Sequence, residues 1–353
     1  MNDETSTTTT ATTERRRYSW RDWSKFTIIA VLLAVIGGAC WEIGAQFLEL
    51  PEHQLLGQGN SRFRTALADP PFDFSKIAVD RKEILSGGPP KDGIPALTDP
   101  EFISAKDADY LKPDDRVIGV AIGDDVRAYP LAILNYHEIV NDTVNETPIA
   151  VTYCPLCDSA AVFDRRTPLG EREFGVSGML YNSNVLMFDR KGKPESLWSQ
   201  VKTQGMTGPA MGKSLKALPL ELTTWKDWSR RYPETQVMSV KTGHNRNYRS
   251  NPYFQYFNGP DLMFPAEPSD DRLPKKSRVL GVWTGKKFRA YPESIFDENH
   301  TRIDDEWDGK KISIEYDPDT KSMRVLETDE GLQWMYSFWF AWYALHPETD
   351  VYK

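Results

Sequence analysis

Cysteine is scarce in this chain of 353 residues: there are three, Cys40, Cys154 and Cys157. Three thiols cannot supply a four-cysteine structural zinc site, and Cys40 sits in an apolar run far from the other two. Asp158 follows Cys157 where covalent c-type haem attachment needs histidine. An excess of basic residues is missing too. Lys and Arg number 43 against 51 Asp and Glu, a net charge of -8, and no basic domain stands out, so a general nucleic-acid partner is excluded. There is no serine nucleophile elbow: Ser177, beside Gly175 and Gly178, lacks the Gly-x-Ser-x-Gly spacing, and no helix is expected after it.

What is present fits a full core. Hydrophobic residues make up 40% of the chain and aromatics 12%, enough for one large or two small domains. The 24 prolines and 23 glycines are spread along it, which implies many short connections and a β-rich fold.

The one long apolar run lies near the N-terminus. Residues 1–25 read as a disordered, basic tail, ending in Arg15, Arg16, Arg17, Arg21 and Lys25. Residues 26–45 follow as a transmembrane anchor, with Trp20, Trp23 and Trp41 at interfacial positions. The cationic flank predicts a cytoplasmic N-terminus and an extracytoplasmic body, periplasmic or at the cell surface, in a single-pass membrane protein. Cleavage after the small residues near Gly38, or lipid attachment at Cys40, are the alternatives for this segment. Residues 46–75 read as a stalk.

The body repeats itself. Arg116-Val117-Ile118-Gly119-Val120 with Arg127-Ala128-Tyr129-Pro130 returns as Arg278-Val279-Leu280-Gly281-Val282 with Arg289-Ala290-Tyr291-Pro292. Trp225 and Trp228 before Pro233-Glu234-Thr235 return as Trp339 and Trp342 before Pro347-Glu348-Thr349, each pair on one face of a helix that the proline ends. The expectation is an α+β, β-rich body: an elaborate first copy over 76–260 and a shortened second copy over 261–353. The second copy lacks most of what lies between Phe163 and Leu222.

The repeat also places the cysteines. Cys154 aligns with Asp317 and Cys157 with Thr320, in Asp317-Pro318-Asp319-Thr320, a hairpin turn by its composition. Cys154-Pro155-Leu156-Cys157 therefore reads as a hairpin knuckle presenting two thiols together. Soft thiolates with an imidazole suit Zn or Cu, and His137, just before the strand that feeds the hairpin, is the expected third ligand. Two alternatives use the same pair: a thiol–disulfide oxidoreductase, or a scaffold with a small disulfide and no cofactor. Tyr181, Asn182, Trp198, Gln200 and Asp158 are the expected lining of an adjacent cleft for a small molecule or metal. Met179, Met187, Met206 and Met211 alternate with apolar residues and read as core.

Five ordered motifs carry a family resemblance. They are His137-Glu138-Ile139-Val140-Asn141-Asp142, Thr152-Tyr153-Cys154-Pro155-Leu156-Cys157, Phe174 through Asn184, Ser196-Leu197-Trp198-Ser199-Gln200, and Thr242-Gly243 through Tyr253. Over most of residues 75–260 the chain resembles the DUF3179 family of exported or membrane-tethered prokaryotic proteins, a family without an established activity. The resemblance implies that His137, Cys154, Cys157, Tyr181, Asn182 and Trp198 matter; it supplies no reaction. From 278 onward the cysteines and the Tyr-Asn-Ser-Asn turn are missing, which implies a packing role there.

Overall fold

Alternating apolar and polar residues bounded by glycine, proline and aspartate build short strands throughout residues 72–353, which a computed structural model describes. The result is β-rich α+β, and among the described residues no helix exceeds seven residues. The anchor expected over 26–45 lies outside the described residues. Among the described residues, no helix is long and apolar enough to cross a membrane.

Two four-stranded units share one plan. In the first, Arg116–Ile122 pairs antiparallel with Asp125–Pro130 and Glu221–Thr224, and Gln236–Met238 adds parallel to Asp125–Pro130. In the second, Arg278–Thr284 pairs antiparallel with Lys287–Pro292 and Gln333–Phe338, and Asp350–Val351 adds parallel to Lys287–Pro292. The registers agree: Gly119 faces Ala128 and Gly281 faces Ala290.

Both glycines serve the same contact. A methyl group on Gly119 would overlap the Trp228 ring, and one on Gly281 the Trp342 ring. Each indole N–H donates to a threonine hydroxyl at 3.0 Å, Trp228 to Thr235 and Trp342 to Thr349. These tryptophans lie on the helices Trp225–Arg231 and Trp339–Leu345. Both are buried, and truncating either to alanine costs on the order of 3–5 kcal/mol. Polar contacts match as well. Asp142 accepts from Arg127 (2.6 Å) and Tyr129 (2.6 Å), and Asp305 accepts from Arg289 (2.7 Å) and Tyr291 (2.7 Å).

Each unit sends a hairpin to the other. The strands Thr147–Cys154 and Ser159–Asp164 join the second unit through the pairing of Ala160 with Tyr336, completing a nine-stranded sheet. In return Ser322–Thr328, from the three-stranded sheet of the second half, lies beside Glu221–Thr224, where Thr223 and Ser322 share a 3.1 Å hydrogen bond. The large core between them includes Ile118, Tyr129, Tyr153, Leu280, Tyr291 and Tyr336.

What the first half has in addition is a five-stranded sheet. Its centre is the hairpin of Glu173–Tyr181 and Asn184–Arg190, with Ile84–Ser86 on one side and Leu197–Ser199 followed by the edge strand Gln204–Gly205 on the other. Gly178 has φ +75 at a register shift in the strand, and a side chain on it would strike the Pro89 carbonyl. The body starts earlier than expected: Phe72, assigned to the stalk, is buried against Phe188 in this sheet's core. Met179, Met187 and Met206 are core residues, whereas Met211 is exposed.

Candidate thiol centre

The cysteine pair lies on a β-hairpin turn. Cys154 ends one strand opposite Ser159, the turn occupies 155–158, and Asp158 closes it with φ 44. The turn is fastened from outside: the Cys157 carbonyl accepts from Phe338 N–H (2.7 Å), and the Leu156 carbonyl accepts from the Tyr256 hydroxyl (2.7 Å).

Both thiols are free and buried, and they face a second turn. Asn182 and Ser183 have φ 52 and 60 between Tyr181 and Asn184, the backbone form that joins strands by a two-residue turn. That turn aims the Ser183 carbonyl at the pair, 3.1 Å from the Cys157 sulfur and 3.9 Å from that of Cys154. A carbonyl oxygen only accepts. The proton on the short contact therefore stays on Cys157.

The two thiols differ in acidity. Burial alone would raise the pKa of Cys154. The Cys157 thiol and the N–H groups of Val185, Cys157 and Leu156 more than offset it and hold Cys154 below the ordinary thiol value. Cys157 is pushed well above that value by burial and by the charge of Cys154. Glu138 is buried close by, and burial together with the Cys154 charge raises its pKa well above the carboxylate range. Behind Cys157 lies a closed polar network: the Asn184 amide donates to Gln200 (2.9 Å), and Gln200 also accepts from Ser159 (2.6 Å) and donates to Thr152 (2.9 Å).

His137 does not join the pair. Its Nδ1 is 2.7 Å from the Pro95 carbonyl and so carries the hydrogen; its Nε2 then accepts from the Tyr248 hydroxyl at 2.7 Å. Thr242 donates to Tyr248 in turn, at 2.6 Å. Burial brings the His137 pKa down to about 4, so the ring is neutral with both nitrogens engaged. The physical reason is the turn at Glu138, whose φ of 57 sends adjacent side chains different ways. The expected set of Cys154, Cys157 and His137 is thus corrected. Among the described residues, no group of three or more His, Cys, Asp or Glu is arranged to hold a metal ion.

This architecture coincides with a family match. The family model described as "Protein of unknown function (DUF3179)" covers residues 91–335. The chain belongs to the DUF3179 family. No curated protein and no solved structure matches it. The resemblance read from the motifs stops near residue 260, whereas the match continues through most of the second half.

The other expected residues of this DUF3179 protein are spread over several places. Gln200 belongs to the network behind Cys157. Trp198 is buried edge-on to Phe174, with ring centroids 6.0 Å apart. Asn182 donates to the carbonyls of Glu267 (2.9 Å) and Ala344 (3.1 Å) and so anchors a neighbouring segment. Tyr181 is half-buried at the end of its strand. Asp158 turns to the opposite face of the hairpin, where it accepts from Arg116 (2.7 Å), Arg278 (2.9 Å) and Tyr153 (2.8 Å).

Residues 240–276 cross over the thiol side, held by apolar packing of Phe257, Leu262, Ala266 and Leu273 and by polar contacts. Besides Tyr256, Tyr136 donates to the Ser250 carbonyl (3.0 Å) and Ser183 to that of Phe264 (2.6 Å). Burial and the nearby thiols raise the pKa of Tyr256; burial, Glu138 and Cys154 do the same for Tyr253. Glu138, Ser183, Asn184, Tyr253 and Tyr256 are thus site residues that sequence reasoning missed. Four of them lie inside the quoted motifs, but a motif does not say which members converge.

Proposed function

We propose that Cys154 and Cys157 form a dithiol redox centre, with Cys154 as attacking thiolate and Cys157 as resolving thiol. The observation that carries this reading is the Ser183 carbonyl 3.1 Å from Cys157, which keeps one proton there; the N–H groups of Val185, Cys157 and Leu156 help to lower the Cys154 pKa beside it. Burial of both sulfurs favours a small substrate, such as a low-molecular-weight disulfide, admitted where residues 240–276 lie.

The thiolate of Cys154 attacks one sulfur of that disulfide. A mixed disulfide forms, and the first leaving thiolate takes the proton of Glu138. Cys157 gives its proton to the Glu138 carboxylate, attacks the Cys154 sulfur and expels the second thiolate, which solvent protonates. Two electrons pass to the substrate, and Cys154 and Cys157 end as a disulfide. The test is alkylation with iodoacetamide followed by peptide mapping across pH. Cys154 is expected to react first, with a midpoint below that of an ordinary thiol. Faster reaction at Cys157, or equal midpoints, sinks the assignment.

A second reading, Zn or Cu(I) held by the two sulfurs, is favoured by one observation: both lie within 4 Å of the Ser183 oxygen and so open on one small volume. Metal analysis of chain prepared without chelator, wild type against Cys154→Ser with Cys157→Ser, decides it. Absence of stoichiometric metal from the wild type removes this reading and leaves the first.

Two larger inferences belong with the proposal. The matched registers, glycine–tryptophan contacts and Arg–Tyr–Asp contacts support an internal duplication whose second copy lost the inserted sheet. The basic flank and apolar run before residue 46 support a membrane-tethered protein with an extracytoplasmic body. A topology reporter fused after Lys353 should be active outside the cytoplasm, and activity inside would reverse that orientation.

A further inference from the structure

On the face of the cysteine hairpin opposite the thiols, the two halves enclose a cleft. It has an accessible volume of about 50 Å³, room for roughly three or four waters or one tetrahedral anion. Three cations line it: Arg116 from the first half, and Arg278 and Lys321 from the second. Arg116 and Arg278 hold equivalent positions at the starts of matched strands.

Asp158 does not use these cations up. Its two oxygens already receive Arg116 Nη1 (2.7 and 3.0 Å), Arg278 Nε (2.9 Å) and the Tyr153 hydroxyl (2.8 Å), so its acceptor capacity is filled. Only one nitrogen of each guanidinium is engaged in this way. Glu293, the other carboxylate lining the cleft, lies 3.9 Å from Arg278, a loose pair. Lys321 forms no ion pair among the described residues, although the matched position in the first half is Asp158 itself. Thr224 adds a hydroxyl whose oxygen accepts from Asp227 N–H at 3.3 Å, leaving its proton to donate. With Asp158 and Glu293 both ionised, the lining still carries one more positive than negative charge. Its unused donors are forked guanidinium N–H groups, the geometry that suits a carboxylate or phosphate.

We propose that this cleft binds a small oxyanion, the carboxylate or phosphate group of a ligand, between Arg116, Arg278 and Lys321. The site requires both halves. It acts independently of the thiol chemistry, since Tyr153 and Asp158 point away from the face that carries Cys154 and Cys157.

The test is thermal unfolding of the whole chain in inorganic phosphate, in acetate and in chloride at equal ionic strength. A saturable rise in Tm is expected with phosphate or acetate and none with chloride; which of the two acts identifies the ligand group. Lys321 is exposed on a turn, so its replacement spares the core. Lys321→Gln should weaken the apparent affinity at least tenfold, and Lys321→Glu should abolish the rise. Without any variant, the active anion should slow amide exchange at residues 320–323 in the wild type. A Tm that chloride raises equally, an undiminished response in Lys321→Glu, or unchanged exchange at 320–323 would overturn the proposal.

Discussion

The turn at 154–158 and the turn at 317–321 close in the same way and meet opposite fates. Both begin at the end of a long strand, and both close on a residue with positive φ, 44 at Asp158 and 51 at Lys321. Asp317 Oδ1 accepts the N–H groups two and three residues ahead, Asp319 at 2.9 Å and Thr320 at 3.3 Å. The N–H groups at the corresponding positions of the first turn, Leu156 and Cys157, help to hold the Cys154 pKa down. The turn thus offers a small anion hole wherever it occurs. In the second half a carboxylate fills it near the surface. In the first, a thiol fills it beneath the five-stranded sheet and residues 240–276, where water no longer competes. The shared fold supplies the N–H groups, and the extra elements supply the burial that makes them matter.

The widest gap between the halves is expected at the residue that closes each turn. Asp158 is a fully buried carboxylate with two arginines and a tyrosine on it, so Asp158→Ala should cost about 3–5 kcal/mol in urea unfolding, because the cations lose their partner. Lys321→Ala should cost less than about 0.5 kcal/mol. Burial pushes the Asp158 pKa up, but Arg116 and Arg278 more than offset it and hold the group below its usual range. Its stabilisation is therefore complete above about pH 4, the unfolded value, and is lost as pH falls through the lower folded one. Equal losses in the two variants would mean that the halves share the burden and that the arginine cluster is not a one-sided lock.

Where the halves agree, substitutions should agree too. Gly119→Ala and Gly281→Ala each drive a methyl group into an indole ring, and each should cost about 2–3 kcal/mol. A difference larger than about 1 kcal/mol between them would show that one tryptophan helix yields while the other does not.

These pairs also mark how far the sequence could be read. The strands, the tryptophan helices and the hairpin position of the cysteines follow from alternation, spacing and turn chemistry, because those signals are local and occur twice. The exchange of hairpins between halves has no local signal, since Ala160 and Tyr336 meet only through the tertiary fold. The centre was half legible for a similar reason. Cys154 and Cys157 announce themselves, but His137 and Glu138 are neighbours, and a single positive φ decides which one belongs to the thiols. Asp158, read as cleft lining, lies on the far side of its hairpin, because strand alternation past a turn is set by the turn and not by the count.

Histidines give a smaller, pH-dependent contrast. His346, in the second half, is stacked on Phe288 with ring centroids 3.9 Å apart, and burial brings its pKa down to about 3. The matched residue of the first half is Tyr232, which carries no such proton linkage. A buried neutral histidine binds fewer protons than its unfolded form below pH 6.5, so stability should fall as pH drops from 6.5 towards 4. The slope is about 1.4 kcal/mol per pH unit for each such histidine, His346 and His137. His346→Gln, which still donates to the Val201 carbonyl, should remove about half of that slope. An unchanged slope would locate the linkage elsewhere.

The smallest expected effect on stability is the most direct test of the shared turn. In a Cys154→Ser, Cys157→Ser background, Asp317→Cys with Thr320→Cys transfers the pair to the second turn. Folding should change by about 1 kcal/mol at most, the loss of charge-assisted bonds at a partly exposed site. The thiol at position 317 would keep the two N–H donors of the turn but have no counterpart to Val185, and water would weaken the two that remain. Its alkylation midpoint is therefore expected below that of an ordinary thiol and above that of Cys154 in the wild type. A midpoint equal to an ordinary thiol would mean that the turn alone does nothing, and that the acidity of Cys154 comes from the strand carrying Val185. A midpoint as low as that of Cys154 would make burial irrelevant. Either result would break the account in which backbone and burial act together.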